Sequence, residues 1–361
     1  MGIDLQRIVL VHSEYNQHHG ERRYRNRFAE KVEKELKEYL EFSERDSLQS
    51  GPAHIDFHNN KEVKVKVVPN VRGRHVYYFH DFRGINGEYD PNVGYMALFS
   101  VEDAITGIGR AASLTLVLPH IPYLRGDWAP ESRVPIPAKL YAQQTEKAAK
   151  GRLEHIITFD LHAQQEAAFY DDVRPDDLPF RPIALQRFKN VNGEFAAVAL
   201  DEGGAKRAHR LAKSLAKTRG INHIPTILID KSRPRDSKAE VHHVVGNPSG
   251  RICVALEDMI DTGGTVVEGA KALFANKAKD VYVCAKDGLF SQKYEDGKVI
   301  DPLPLLKESG AKIIISDTID HPKSFFDRNK GFIEVLSVTP IVARAIYEIE
   351  TRGSVSKLYE D

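Results

Sequence analysis

The stretch Ile252–Thr265, ICVALEDMIDTGGT, joins an apolar run, an acidic pair and a glycine turn to the start of a helical stripe. The spacing predicts a strand that ends at Glu257-Asp258 and a turn, Asp261-Thr262-Gly263-Gly264-Thr265, that feeds a helix. Gly263 and Gly264 let backbone N–H groups converge where side chains would obstruct them. A helix N-terminus adds partial positive charge, so the turn suits a phosphate monoester. Thr262 and Thr265 can donate hydroxyl hydrogen bonds to it. Glu257 and Asp258, as acceptor-only carboxylates, suit the hydroxyls of a ribose diol beside that phosphate.

Three further stretches carry related chemistry. In HIITFDLHAQQ (155–165), period-2 geometry places Asp160 and His162 on one face at the carboxyl end of a strand, where open α/β sheets bind ligands. An imidazole beside a carboxylate can hold a divalent cation or orient a phosphate. The strand Phe195–Leu200 runs into Asp201-Glu202-Gly203-Gly204 and a helix, setting Asp201 at the same edge as a second hard oxygen ligand. In IDKSRPRDSK (229–238), directly after a strand, Lys231, Arg233 and Arg235 make a cationic loop of the kind that neutralises charge on a transferring phosphoryl group. Taken singly, the histidine reads as structural, Asp201 as a helix cap and the basic loop as solvated surface. Their combination favours a phosphate-transfer site.

The elements that must position these residues alternate. Leu114–Leu118, His155–Phe159, Phe195–Leu200, Ile224–Ile229, Ile252–Leu256, Val281–Cys284 and Ile313–Ile315 are short, near-continuous apolar runs, as strands covered on both faces should be. Between them lie stripes such as Ala205–Lys217, with Ala208, Leu211, Ala212 and Leu215 on one face and Lys or Arg outward. This order predicts an α/β fold with mainly parallel sheets. In the first part of the chain, Ile8–Val11 reads as a strand and Phe28, Val32, Leu36 and Leu40 mark a helix. Gln49–His58 carries turn residues and Asp81–Asn92 reads as a long loop.

At 361 residues the chain is long enough for about two domains. Prolines and aspartates within Asp171–Pro182 mark the boundary, giving domains 1–178 and 179–339 with a C-terminal helix, 340–361, rejoining the first. Lys plus Arg and Asp plus Glu both number 51, so nothing in the charge points to a nucleic-acid partner. No apolar run approaches the ~18 residues of a membrane span, and Met1–Leu10 lacks a signal-peptide core. The two cysteines, Cys253 and Cys284, fall in separate apolar runs and read as buried thiols of a reducing compartment, which places the chain in the cytoplasm.

Together the four motifs, in this order, resemble those of the ribose-phosphate diphosphokinase (phosphoribosyl diphosphate synthetase) family. From about Val63 onward the likeness includes NVRG at Asn70–Gly73, YLRGD at Tyr123–Asp127, RVPIPAKL at Arg133–Leu140, GLFS at Gly288–Ser291 and SDTI at Ser316–Ile319. It implies two phosphoribosyltransferase-like domains, the first on the ATP side with oligomer contacts and the second carrying the ribose-phosphate loop. The implied reaction is transfer of the β,γ-diphosphoryl group of ATP to the C1 hydroxyl of ribose 5-phosphate. His162 and Asp201 match the family's Mg2+·ATP positions, and Lys231 and Arg233 its transition-state loop. Glu257, Asp258 and Asp261–Thr265 match the ribose-phosphate site; Glu62, Arg125, Asp127 and His162 fall on the ATP side. The family forms homo-oligomers from dimer to hexamer, built partly from a hairpin before NVRG.

That hairpin carries a Phe-x-Asp-x-Glu pattern in the family, and here His58-Asn59-Asn60-Lys61-Glu62 keeps the last acid but loses the Phe and Asp. Trp128 follows Asp127 and reads either as core or as a ring that stacks on a base. Asp287 stands where the family has His before GLFS. The residues before Gln49 and the loop Asp81–Asn92 show no family counterpart. These departures leave two alternatives open: a related diphosphokinase with another ribosyl acceptor such as ADP-ribose, or a silent regulatory homologue that binds phosphoribosyl diphosphate.

Overall fold

Residues 7–16, 23–40, 45–84, 87–232, 241–295 and 297–358 are described in the structure, a computed structural model. The chain divides into two compact units, Met1–Leu178 with Thr339–Glu360, and Pro179–Val338.

In the first unit the strands are β1 (Ile8–Asn16), β2 (Arg23–Arg25), β3 (Ser50–Phe57), β4 (Val63–Val67), β5 (His75–Phe79), β6 (Ser113–Val117), β7 (Leu153–Phe159) and β8 (Asp176–Leu178). They form one sheet in the order β4-β3-β1-β5-β6-β7-β8, parallel except for β2 on β1 and β4 on β3. Helices α1 (Arg27–Lys37), α2 (Pro91–Asp103) and α3 (Pro137–Ala148) accompany it. The Asn26 side chain caps α1 by accepting the Ala29 N–H at 3.0 Å, while Phe28, Ala29, Val32 and Leu36 turn inward. Gln49–His58 is therefore mostly strand rather than turn: its alternate residues Ala53 and Ile55 are buried between β1 and β4. The loop from Asp81 also stops short, because Asp90 caps α2 and Pro91 supplies its first residue.

The second unit opens with α4 (Arg181–Gln186), followed by β9 (Phe195–Ala199), α5 (Ala205–Arg219), β10 (Thr226–Ser232), β11 (Val241–Val245), β12 (Ile252–Ile260), α6 (Gly264–Ala275) and β13 (Asp280–Gly288). A small hairpin, β14 (Lys293–Glu295) and β15 (Lys298–Ile300), precedes α7 (Pro302–Glu308), β16 (Lys312–Ser316), α8 (Lys323–Arg328) and β17 (Ile333–Leu336). The main sheet runs β11-β10-β9-β12-β13-β16-β17, parallel except for β11. Cys253 and Cys284 are buried, unbridged residues of β12 and β13, and burial pushes both thiols up to about 12.

The chain then returns to the first unit as α9 (Thr339–Glu350), which packs on α1. Glu350 anchors it to β5, accepting from the Tyr77 hydroxyl at 2.7 Å and pairing with His75 at 2.8 Å. The architecture is the α/β plan of two mainly parallel, helix-flanked sheets. Among the described residues no helix is long and apolar enough to cross a membrane.

One core position in the first unit is costly. Glu102 on α2 is fully buried and neither carboxylate oxygen has a hydrogen-bond partner, so burial holds its pKa well above the ordinary range. Unfolding frees this group to ionise above about pH 4.5, whereas the folded protein keeps it protonated to higher pH. Stability therefore falls as pH rises through that interval. Glu102→Gln, which mimics the protonated acid, is expected to unfold with the parent near pH 4.5. At pH 8 it should melt several degrees higher, a gain of roughly 1–3 kcal/mol, as followed by circular dichroism melts across pH. Equal melting temperatures at pH 8 would refute the linkage.

Candidate functional site

In the second unit the glycine turn follows from strand geometry. β12 continues through the acidic pair to Ile260 rather than ending there, because β13 pairs with it as far as Ile260 opposite Gly288. Glu257 and Asp258 are thus half-buried strand residues four and three places before the turn. Asp261 and Thr262 make the turn, Gly263 takes the left-handed conformation at φ +72°, and α6 already begins at Gly264. A Cβ on Gly263 would meet three Leu306 carbons at 3.0 Å, whereas a Cβ on Gly264 would meet nothing within 4 Å. The turn therefore needs glycine at 263 for its fold, and the open space at 264 is what a ligand's oxygens would fill.

The turn is held from β13 and beyond. Leu289 and Phe290 N–H donate to the Ile260 carbonyl at 2.9 and 3.1 Å, and Ser291 N–H donates to Asp261 O at 3.1 Å. The GLFS stretch is thus a strap across the start of the turn. Behind it, Lys286 and Asp287, 2% and 0% exposed, form an ion pair at 2.8 Å. Thr318 donates to Asp287 Oδ1 at 2.6 Å and Ser316 to Lys286 O at 2.7 Å, so SDTI braces GLFS. Asp287 is accordingly an interior structural acid.

Beside the turn, Asp201 follows β9 and accepts the Gly204 N–H at 2.9 Å, capping the entry to α5. Arg207, in the part of the helix read as facing outward, instead turns to the β12 acids. Its Nη2 donates to Glu257 Oε2 at 2.8 Å, and its Nη1 stands 3.9 Å from Asp258 Oδ1. Burial nonetheless pushes Glu257 up to about 7, with Asp201 and Asp258 adding to the shift and Arg207 opposing it. Arg207 went unnoticed in the sequence because a helical stripe gives no sign of which cation sits next to the end of a neighbouring strand.

Lys231 belongs to β10, paired in register with His242 of β11, so its backbone is strand rather than loop. Arg233 and Arg235 lie outside the described residues.

In the first unit, β7 ends at Phe159 and Asp160 takes a positive φ of 36°. The strand alternation that would align Asp160 with His162 therefore does not extend past the sheet edge, and His162 stands exposed in the turn beyond it. Its segment meets YLRGD: Gln165 donates to Asp127 Oδ2 at 3.1 Å. Arg125 is exposed and Asp127 half-buried. Stacked Tyr95, Tyr141 and Tyr123, with ring centroids 4.1 and 4.5 Å apart in successive pairs, and Gly126 against Pro137 hold this stretch to α2 and α3. Glu166, missed in the sequence, is buried just beyond, and burial pushes its carboxyl up to about 7. Trp128 is 62% exposed, which removes the reading as core. Glu62 is exposed in the turn of the β3–β4 hairpin. Phe57, which closes β3 opposite Val63, sets an aromatic ring at the hairpin's root, one residue before the stretch that was read as lacking one.

A divalent cation fits this donor set in one manner. Among the described residues no three His, Cys, Asp or Glu side chains gather as a protein-only cage. Asp201 in the second unit and His162 in the first, each taken by itself, have the donor chemistry of a single ligand to Mg2+ held largely through substrate phosphates and water.

Comparison with known proteins gives concordant results. Residues 22–149 match the model of the N-terminal domain of ribose phosphate pyrophosphokinase, and residues 194–360 match that of the phosphoribosyl synthetase-associated domain. The likeness thus begins well before Gln49 and includes the Asp81–Asn92 stretch. The chain is 32% identical over 316 residues to the ribose-phosphate pyrophosphokinase of Listeria ivanovii, covering 87% of this chain and 91% of the relative. It is 32% identical over 337 residues to ribose-phosphate pyrophosphokinase 1 of Lactococcus lactis, covering 92% of each. The crystal structure of phosphoribosylpyrophosphate synthetase from Mycobacterium smegmatis superposes with a TM-score of 0.74 at 25% identity, covering 96% of this chain and 99% of that one.

The two glycines separate fold from ligand. Gly264→Ala should leave the melting temperature within a degree or two while weakening a sugar phosphate, measured by calorimetry, by ~10-fold or more. Gly263→Ala should lose affinity and, forced to positive φ, also ~1–2 kcal/mol of stability. Full affinity in Gly264→Ala would exclude the open space as a phosphate cradle.

Proposed function

The chain belongs to the ribose-phosphate pyrophosphokinase family, and from that premise we propose that it transfers the β,γ-diphosphoryl group of ATP to the C1 hydroxyl of ribose 5-phosphate. The products are phosphoribosyl diphosphate and AMP. The observation that carries the reading is the glycine turn at the end of β12, with two carboxylates just before it and open space over the first residue of α6.

Each group then has a task. Backbone N–H groups of Gly263–Thr265 and the hydroxyls of Thr262 and Thr265 hold the 5-phosphate at the α6 N-terminus. Glu257 and Asp258 accept the ribose hydroxyls, and Asp261 shapes the turn. Glu62, Arg125, Asp127 and His162 hold ATP, with the first unit as the nucleotide side and the second as the sugar-phosphate side. His162, in the first unit, and Asp201, in the second, are each assigned as residues that would hold Mg2+, which would supply charge neutralisation on the phosphates. The C1 oxygen forms a bond to the β-phosphorus, the bond from that phosphorus to the α,β-bridging oxygen breaks so that the oxygen leaves with AMP, and the hydroxyl proton passes to water. Lys231 and Arg233 take up charge that develops on the transferring group. No covalent intermediate with the protein is required, because positioning and fixed charge suffice. The enzyme is assigned to the cytoplasm and to a homo-oligomer between dimer and hexamer, with the β3–β4 hairpin among the contacts.

A mass-resolved assay with ATP, Mg2+ and ribose 5-phosphate is expected to yield AMP and phosphoribosyl diphosphate in equal amounts. Lys231→Ala should lower kcat at least ~100-fold with little change in the KM for ribose 5-phosphate. Silence toward ribose 5-phosphate beside brisk turnover of another ribosyl acceptor would reassign the substrate, and near-parental turnover in Lys231→Ala would remove its role.

A further inference from the structure

We propose that Arg207 is a positioning residue for ribose 5-phosphate, acting through Glu257; the inference rests on the reading that the β12 acids accept ribose hydroxyls. Asp201 and Asp258 both raise the cost of ionising Glu257, so this edge of the second unit concentrates negative charge before any substrate arrives. Successive strand residues point to opposite faces, and left to the pleat Glu257 and Asp258 would diverge. The Arg207 fork comes within 4 Å of both, at 2.8 Å from Glu257 Oε2 and 3.9 Å from Asp258 Oδ1. The Met259 N–H fixes Asp258 from the other side, donating to the same Oδ1 at 3.0 Å.

The geometry divides the Glu257 carboxylate between two uses. Oε2 is taken by the guanidinium, and Oε1 is left as the oxygen for a ribose hydroxyl. A planar fork sets the rotation of a carboxylate in a way that a point charge does not. Arg207 projects from the first turn of α5, and Asp201 caps the short Glu202–Gly204 turn that leads into that helix. Lysine at this place would keep the charge but lose the fork, and glutamine would lose both.

The test is calorimetric titration of ribose 5-phosphate, without ATP, into the parent, Arg207→Gln and Arg207→Lys, joined to steady-state kinetics with each substrate varied. Arg207→Gln should bind ribose 5-phosphate ~10-fold or more weakly, with the KM for that substrate raised in step and kcat at saturation within about twofold. Arg207→Lys should fall between the two. Because the effect runs through Glu257, Arg207→Gln/Glu257→Gln should bind no more weakly than Glu257→Gln alone. Unchanged ribose 5-phosphate affinity in both single variants, a loss confined to kcat, or defects that multiply in the double variant would each overturn the role. Failure of the parent itself to bind ribose 5-phosphate would instead overturn the functional reading beneath it. Should Arg207→Gln not fold, Arg207→Lys and the kinetic split still decide.

Discussion

The left-handed backbone at Gly263 is the constraint on which the second unit's site depends. At φ +72° and packed against Leu306, it lets β12 turn sharply enough for α6 to start one residue later. That short turn aims the first N–H groups of the helix at the sheet edge, where the acid pair already stands. A side chain at 263 would have to displace Leu306 as well as adopt a conformation that L-residues avoid. The strap from Leu289 to Ser291 then fixes the turn from β13 with backbone bonds alone. In the proposed reading, phosphate binding would thus follow from backbone geometry, with few side chains needed to create it.

Much of the fold was legible in the sequence because parallel strands covered on both faces write themselves as apolar runs, and Gly-Gly after such a run marks a turn. The strand ends were less legible. Glu257 and Asp258 read as the end of a strand because charge usually marks a boundary, yet β13 carries the ladder two residues past Asp258, to Ile260. Asp160 shows the reverse: alternation projected beyond Phe159 meets a positive φ, where pleat arithmetic stops applying. Gln49–His58 failed for a third reason, since Gly51 and Pro52 look like turn residues but are accommodated inside β3.

Pairings across elements were not legible at all. Nothing local says that Arg207 reaches β12, that Glu166 is buried beside Asp127 and His162, or that Lys286 and Asp287 neutralise each other inside the second unit. These are tertiary facts, and all three involve charges that periodicity assigns to the surface. They also differ in kind. Lys286–Asp287 is paired and further bonded by Thr318, which is how a buried charge is tolerated. Glu102 has no such partner and is tolerated only as the neutral acid.

The same distinction bears on the chemistry. An enzyme for anionic substrates gains nothing from bare carboxylates unless their charge is answered, since phosphate and carboxylate repel. At the end of β12 Arg207 spans Glu257 and Asp258, and under the proposed function the acids would offer acceptor oxygens to hydroxyls without presenting their full charge to the incoming phosphates. Diol recognition and phosphate recognition make opposite electrostatic demands, and these meet within a few residues of one strand end. A glycine turn meets the second demand with backbone dipoles, and an arginine fork meets the first by neutralising the acids while holding their orientation. Under the proposed function, that division would let the acids stand only three or four residues from the turn rather than on a separate element.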